Sequence, residues 1–167
     1  MAALSNATLA QVSPAIARPA YDRAHLRTGI VHLGLGAFAR AHLCAYTEDV
    51  IGTDPSWGIA GASMRKADVV AQLRPQDGLY SLLVRDGDAT MARVCGILTG
   101  LYVLPDNPRA LIDVMAAADT KIVSLTVTEK GYCHDPATGA LNQTHPDIVH
   151  DLAHPDMPRS AIGVIVA

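Results

Sequence analysis

Gly34, Gly36 and Ala39 stand at the spacing G-x-G-x-x-A. They follow a short apolar run, residues 29–34 (G-I-V-H-L-G), and precede apolar positions at helical spacing, Leu43, Tyr46 and Val50. In that context each small residue has a task. Gly34 permits a tight turn out of a strand, Gly36 lets the backbone approach a ligand with no Cβ in the way, and Ala39 lets the next helix pack close to the strand. The stretch Gly34-Leu35-Gly36-Ala37-Phe38-Ala39-Arg40 then points the free N–H groups and partial positive charge of a helix N-terminus at one place. That is chemistry for holding a pyrophosphate. An ordinary glycine turn between a strand and a helix has the same spelling, so both readings stand.

A dinucleotide site of this kind reads the adenosine ribose just past the second strand. Here that place is Ser63-Met64-Arg65-Lys66-Ala67-Asp68. Asp68 could accept from the 2′-hydroxyl of NAD. Arg65 or Lys66 could instead pair with the 2′-phosphate of NADP. Both signals are present, so the expected cofactor is NAD, with NADP possible. A solvated helix start would also use these residues.

The elements that must position these residues follow from pattern. Residues 29–34 and 57–64 (W-G-I-A-G-A-S-M) read as strands, residues 39–50 as the intervening helix, and residues 67–73 as a short helix ended by Pro75. Strand, glycine turn, helix and strand imply a right-handed crossover and a parallel sheet. Residues 79–85 and 90–98 flank Asp86-Gly87-Asp88 and read as a β-hairpin, an excursion from that sheet. Asn107 and Pro108 open a helix whose buried stripe is Leu111, Val114, Met115 and Ala118. Residues 121–127 (K-I-V-S-L-T-V) have the strongest strand pattern in the chain, residues 128–144 are loop, residues 146–153 form a short helix, and Ser160 caps a last one. The expected fold is α/β, a Rossmann-like doubly wound, mostly parallel sheet with a hairpin excursion. Residues 1–28 read as an irregular arm and 29–167 as an incomplete dinucleotide-binding domain. The bare apolar ending, A-I-G-V-I-V-A, is read as the mark of a fragment truncated at its C-terminus.

Composition narrows the function classes. In 167 residues, half are apolar and 17% are charged, enough apolar surface to form a core and too much for a disordered tail. A net charge of -3 argues against a nucleic-acid partner, which would need a basic face. The apolar runs are too short for a membrane span, and the N-terminus lacks the pattern of an export signal. Three widely spaced cysteines, Cys44, Cys95 and Cys133, read as reduced thiols, so the expected location is cytoplasmic.

Two blocks resemble one known family. Gly34-Leu35-Gly36-Ala37-Phe38-Ala39-Arg40-Ala41-His42 is similar to the G-x-G-x-F-x-R-A-H signature of the polyol-specific long-chain dehydrogenases. That family includes mannitol 2-dehydrogenases, fructuronate and tagaturonate reductases and arabinitol dehydrogenases. Residues 123–132 (V-S-L-T-V-T-E-K-G-Y) resemble its S-L-T-x-T-E-x-G-Y block, and the likeness runs from about Arg18 to the last residue. Ala39 stands where many members have His. The resemblance implies zinc-independent hydride transfer between a nicotinamide dinucleotide and a polyol or keto-sugar of the mannitol/fructose type, a hexuronate being the alternative. It implies that the nicotinamide half passes Thr126, Val127 and Thr128. It also implies a catalytic lysine and asparagines in a helical domain beyond Ala167. Lys66, Lys121 and Lys130 match no such position, so the chain alone is expected to be inactive.

Other chemistries have weaker support. Cys133, His134, His145, His150 and His154 cluster loosely, without C-x-x-C or H-E-x-x-H, and read as polar loop residues rather than zinc ligands. His32 reads as a hydrogen-bonded interior residue. No P-loop, nucleophile elbow or Tyr-x-x-x-Lys pair occurs. A dinucleotide-binding domain without catalysis is the remaining alternative.

Overall fold

β-Branched and apolar runs become strands, and glycine follows directly on the first of them, at Gly34, and on both strands of the hairpin, at Gly87 and Gly96. The computed structural model describes residues 3–167; Met1 and Ala2 of the expected arm lie outside the described residues. Four strands form a parallel sheet: β1 (Thr28–Leu33), β2 (Gly58–Ser63), β5 (Leu98–Val103) and β6 (Ile122–Leu125), in the order β5-β2-β1-β6. β3 (Tyr80–Asp86) and β4 (Ala89–Cys95) pair antiparallel in a separate two-stranded sheet. The helices are α1 (Ala37–Ala41), α2 (Leu43–Val50), α3 (Asp68–Leu73), α4 (Pro108–Met115), α5 (Pro146–Ala153) and α6 (Ala161–Val166).

The two central strands, β1 and β2, are buried on both faces, as in a doubly wound sheet. Ile30, Ile59 and Leu98 pack on one side with Leu35, Cys44, Leu73 and Ile97. Val31, Leu33, Ala60 and Ala62 pack on the other with Leu111 of α4 and Val164 of α6. Both expected caps form. Asn107 accepts from the Ala110 N–H at 3.0 Å, and Ser160 accepts from the Gly163 N–H at 2.9 Å.

Two expected elements change their bounds, and two further features come from the fold alone. The helix expected over 39–50 starts earlier and breaks at His42, whose φ of -118° and ψ of -78° depart from regular helix values. The His42 ring Nδ1 donates to the Phe38 carbonyl at 2.9 Å, alongside its own N–H, a side-chain competition that bends helices. The second hairpin strand stops at Cys95 rather than Leu98. The Gly96 N–H leaves the ladder to donate to the Glu48 carboxylate at 3.0 Å, and Leu98 begins β5 beside β2 instead. β6, the strongest strand pattern, is the sheet edge, with Ile122 47% and Leu125 38% exposed. The N-terminal arm is irregular but pinned. The Val94 N–H donates to Ala17 O, Asn6 N–H donates to Asp77, and the Arg23 guanidinium donates to the carbonyls of Gly96 and Asp77.

Candidate functional site

A cleft of about 440 Å³ opens at the carboxyl ends of β1, β2 and β6. Its floor is the turn after β1. Gly34 there has φ +108°, and a Cβ would meet the Thr126 carbonyl oxygen at 2.8 Å and its hydroxyl at 2.9 Å. Only glycine fits both the angle and the contact. Gly36 is different. Its φ of -85° suits any residue, and the only atom near an added Cβ is Gly34 O at 3.8 Å. The space beside Gly36 is therefore left open by the protein at the cleft rim.

The structure brings Gly34, Leu35 and Gly36 together with Arg65 and with Thr126, Val127 and Thr128 in the cleft lining. Ala37, Phe38, Ala39, Arg40 and Asp68 lie outside it. Ala39 is fully buried, which lets α1 sit against the sheet. Phe38 is 65% exposed and stacks on His42 with ring centroids 4.3 Å apart. Arg40 supports the turn from behind, donating to Leu35 O at 3.2 Å while its own carbonyl accepts from the Tyr80 hydroxyl at 2.7 Å. Asp68 is the exposed first residue of α3, whereas its neighbours Arg65 and Lys66 line the cleft. Lys130 lies in a 3₁₀ turn, Glu129–Tyr132, outside the lining. Lys121 lies over the Trp57 ring, 4.1 Å from its centroid.

Sequence reasoning missed the far wall, formed by Cys133, Asp147, Arg159, Ser160 and Ala161. Ser160 was legible as a cap, but nothing local tells which way α6 begins. Asp151 decides it. Its carboxylate, 8% exposed, accepts from the Arg159 N–H at 2.7 Å, the Ser160 N–H at 3.0 Å and the Ser160 hydroxyl at 2.6 Å. Burial alone would raise its pKa, but these hydrogen bonds hold it below the ordinary carboxylate range. Burial, with Asp147 and Asp151 nearby, pushes the Cys133 thiol up, so it stays protonated. His150 and His154 lie with ring centroids 4.9 Å apart, and among the described residues no three His, Cys, Asp or Glu side chains gather as a metal site.

His32 is 1% exposed beneath the turn. Its Nδ1 lies 2.9 Å from the Ser124 hydroxyl and its Nε2 lies 2.9 Å from the Thr126 hydroxyl. Burial lowers its pKa, opposed by a backbone hydrogen bond at Gly34. The ring is therefore neutral near pH 7.

The family model described as "Mannitol dehydrogenase Rossmann domain" matches residues 28–167. The chain belongs to the mannitol dehydrogenase family. It is the family's Rossmann domain, as the two sequence blocks implied. It is 43% identical over 156 residues to the mannitol 2-dehydrogenase of Cereibacter sphaeroides, covering 91% of this chain and 32% of that protein. It is 40% identical over 156 residues to the D-mannonate oxidoreductase of Escherichia coli, covering 90% and 32%. The solved Pseudomonas fluorescens mannitol 2-dehydrogenase, a ternary complex with NAD and D-mannitol, superposes with a TM-score of 0.89 at 40% identity, over 97% of this chain and 34% of that one. The chain spans about a third of the length of the curated relatives it matches. Among the described residues, no helix is long and apolar enough to cross a membrane.

Proposed function

We propose that the cleft binds a nicotinamide dinucleotide, NAD(H), and that the chain is the cofactor-binding part of an oxidoreductase acting on a polyol or keto-sugar of the mannitol/fructose type. The observation that carries this is the pair of glycines. Gly34 is required by the fold, whereas among the described residues only the Gly34 carbonyl oxygen, at 3.8 Å, comes near the space beside Gly36. That space fits the reading in which a pyrophosphate lies against the turn. The N–H groups of the first turn of α1 have no intrahelical acceptors and would donate to it. Arg65 and Lys66 would hold the adenosine end, with a 2′-phosphate as a possible further partner. Thr126, Val127 and Thr128 would line the nicotinamide end. When bound, the nicotinamide accepts or donates the hydride. The protein's share here is orientation, exclusion of water from the cleft floor and fixed dipoles around the phosphates.

The likeness to the Escherichia coli D-mannonate oxidoreductase, at nearly the same identity as to the mannitol enzyme, favours a six-carbon sugar acid, the class to which a hexuronate belongs, as the second reading for the substrate. Three buried free thiols fit a reducing, cytoplasmic setting. The family resemblance implies a catalytic lysine and asparagines beyond the stretch matched here, so the role proposed for these 167 residues is cofactor binding. Titration of the chain with NADH, followed by its fluorescence, tests the reading. Saturable binding is expected, and its absence would refute the cofactor site. Mannitol-dependent reduction of NAD by the 167-residue chain would refute the assignment of catalysis elsewhere.

A further inference from the structure

The groups beneath the glycine turn form one directed chain of hydrogen bonds. The Thr126 hydroxyl donates to the Gly34 carbonyl at 2.9 Å. A carbonyl oxygen has no proton, so the single Thr126 proton is committed there. Thr126 Oγ1 must then accept from His32, which places the imidazole proton on Nε2. Nδ1 is left with its lone pair and accepts from the Ser124 hydroxyl. The Gly34 carbonyl also accepts from the Gly36 N–H at 2.6 Å. Two donors therefore fix the direction of the carbonyl at the turn where phosphates are proposed to bind. A carbonyl free to rotate into the cleft would meet an anion oxygen-to-oxygen.

We propose that His32 is a positioning residue for the dinucleotide cleft, acting through one imidazole tautomer that couples the Ser124 hydroxyl to Thr126 and sets the Gly34 carbonyl. This rests on the reading that the cleft takes a dinucleotide. Ser124 does not line the cleft, so its hydroxyl acts there only through His32. Without it, Nδ1 loses its partner, and the imidazole is no longer held from both sides in line with Thr126. A ring that turns off this line withdraws its donor from Thr126 Oγ1 and loosens the Thr126 hydroxyl on the Gly34 carbonyl.

The test is Ser124→Ala in the 167-residue chain, with two readouts. Long-range ¹H–¹⁵N spectra report the His32 tautomer, and NADH fluorescence reports affinity. The expected wild-type spectrum is that of the Nε2–H form. The variant is expected to keep the proton on Nε2 but to shift and broaden the His32 ring signals, and to bind NADH about fivefold to tenfold more weakly, the effect of one misdirected hydrogen bond. Ser124→Thr, which returns a hydroxyl on a side chain suited to a strand, is expected to restore both. A purely structural role would move stability without moving the NADH affinity. An Nδ1–H wild type overturns the relay. Unchanged NADH affinity in Ser124→Ala overturns the positioning role while leaving the cofactor reading intact. Wild-type chain that binds no NADH, whatever its tautomer, overturns the cofactor reading and this inference with it.

Discussion

Gly34→Ala and Gly36→Ala make a matched pair, since one methyl is added at each end of the same turn. At Gly34 the backbone angle of +108° and the contacts of 2.8 and 2.9 Å with Thr126 both oppose a Cβ. Holding a non-glycine residue in that region costs about 1–3 kcal/mol. Forcing the methyl against the β6 end adds about 1–3 kcal/mol more. A loss of at least about 2 kcal/mol in a domain of this size lowers Tm by roughly 4 °C or more. At Gly36 the angle is ordinary and the space is open. Losing the glycine cap costs about 0.5–1 kcal/mol, which the stiffer unfolded chain offsets by about 0.4–1 kcal/mol, so stability should change by less than about 0.5 kcal/mol. The Gly36 methyl instead occupies the room proposed for the pyrophosphate and should weaken NADH about tenfold or more, the effect of an unrelieved overlap. Thermal and urea unfolding by circular dichroism, together with NADH titration, read both variants. Gly34→Ala as stable as wild type would show that the turn is not held by Thr126. Gly36→Ala with unimpaired NADH binding would show that the open space is not the phosphate site.

Other perturbations have equally definite signs. Asp151→Asn should destabilise the chain by about 2–3 kcal/mol in urea unfolding, because it weakens the acceptor of the Arg159 and Ser160 donors that seat α6. The wild-type contribution is present above the ordinary carboxylate range and is lost as pH falls through the depressed native value, so the variant's unfolding curve should be flatter in acid. His32 titrates with its native pKa below the free-imidazole value of about 6.5. The unfolded state then binds the extra proton, and stability falls as pH drops below about 6.5, by up to about 1.4 kcal/mol per pH unit. Burial raises the Glu48 carboxyl and works in the opposite sense, so the measurement is the wild-type slope minus that of His32→Gln, in which Glu48 cancels. A difference of zero would show that the imidazole titrates freely. Arg65→Ala should weaken NADP about tenfold more than NAD in competition titrations, the loss of one charge-assisted contact to a 2′-phosphate; equal losses would remove Arg65 from that role.

Local chemistry made much of this protein legible in the sequence. The glycine turn between an apolar run and a helix, the Asn107 and Ser160 caps, and the Asp86-Gly87-Asp88 hairpin depend on residues within a few positions of one another. The sequence states such features directly. The alternation of apolar runs and helical stripes also fixed an α/β parallel architecture. Tertiary packing decided what lies farther apart. Gly96 ends a strand because Glu48, far earlier in the chain, captures its N–H. β6 has the most strand-like pattern yet lies at an open edge, because strand order is a property of the sheet and not of the segment. Asp68 and Arg65 are close in sequence, but the start of α3 leaves only Arg65 in the cleft lining. Gly34 reads from sequence as a turn glycine. Its second reason, the Thr126 contact, exists only because parallel register sets β6 beside β1. The same register brings His32 between Ser124 and Thr126, more than 90 positions away, and ties an interior histidine to the turn above it. Backbone angles and caps are local and can be read from neighbouring residues, whereas contacts across strands depend on register, which only the folded sheet defines.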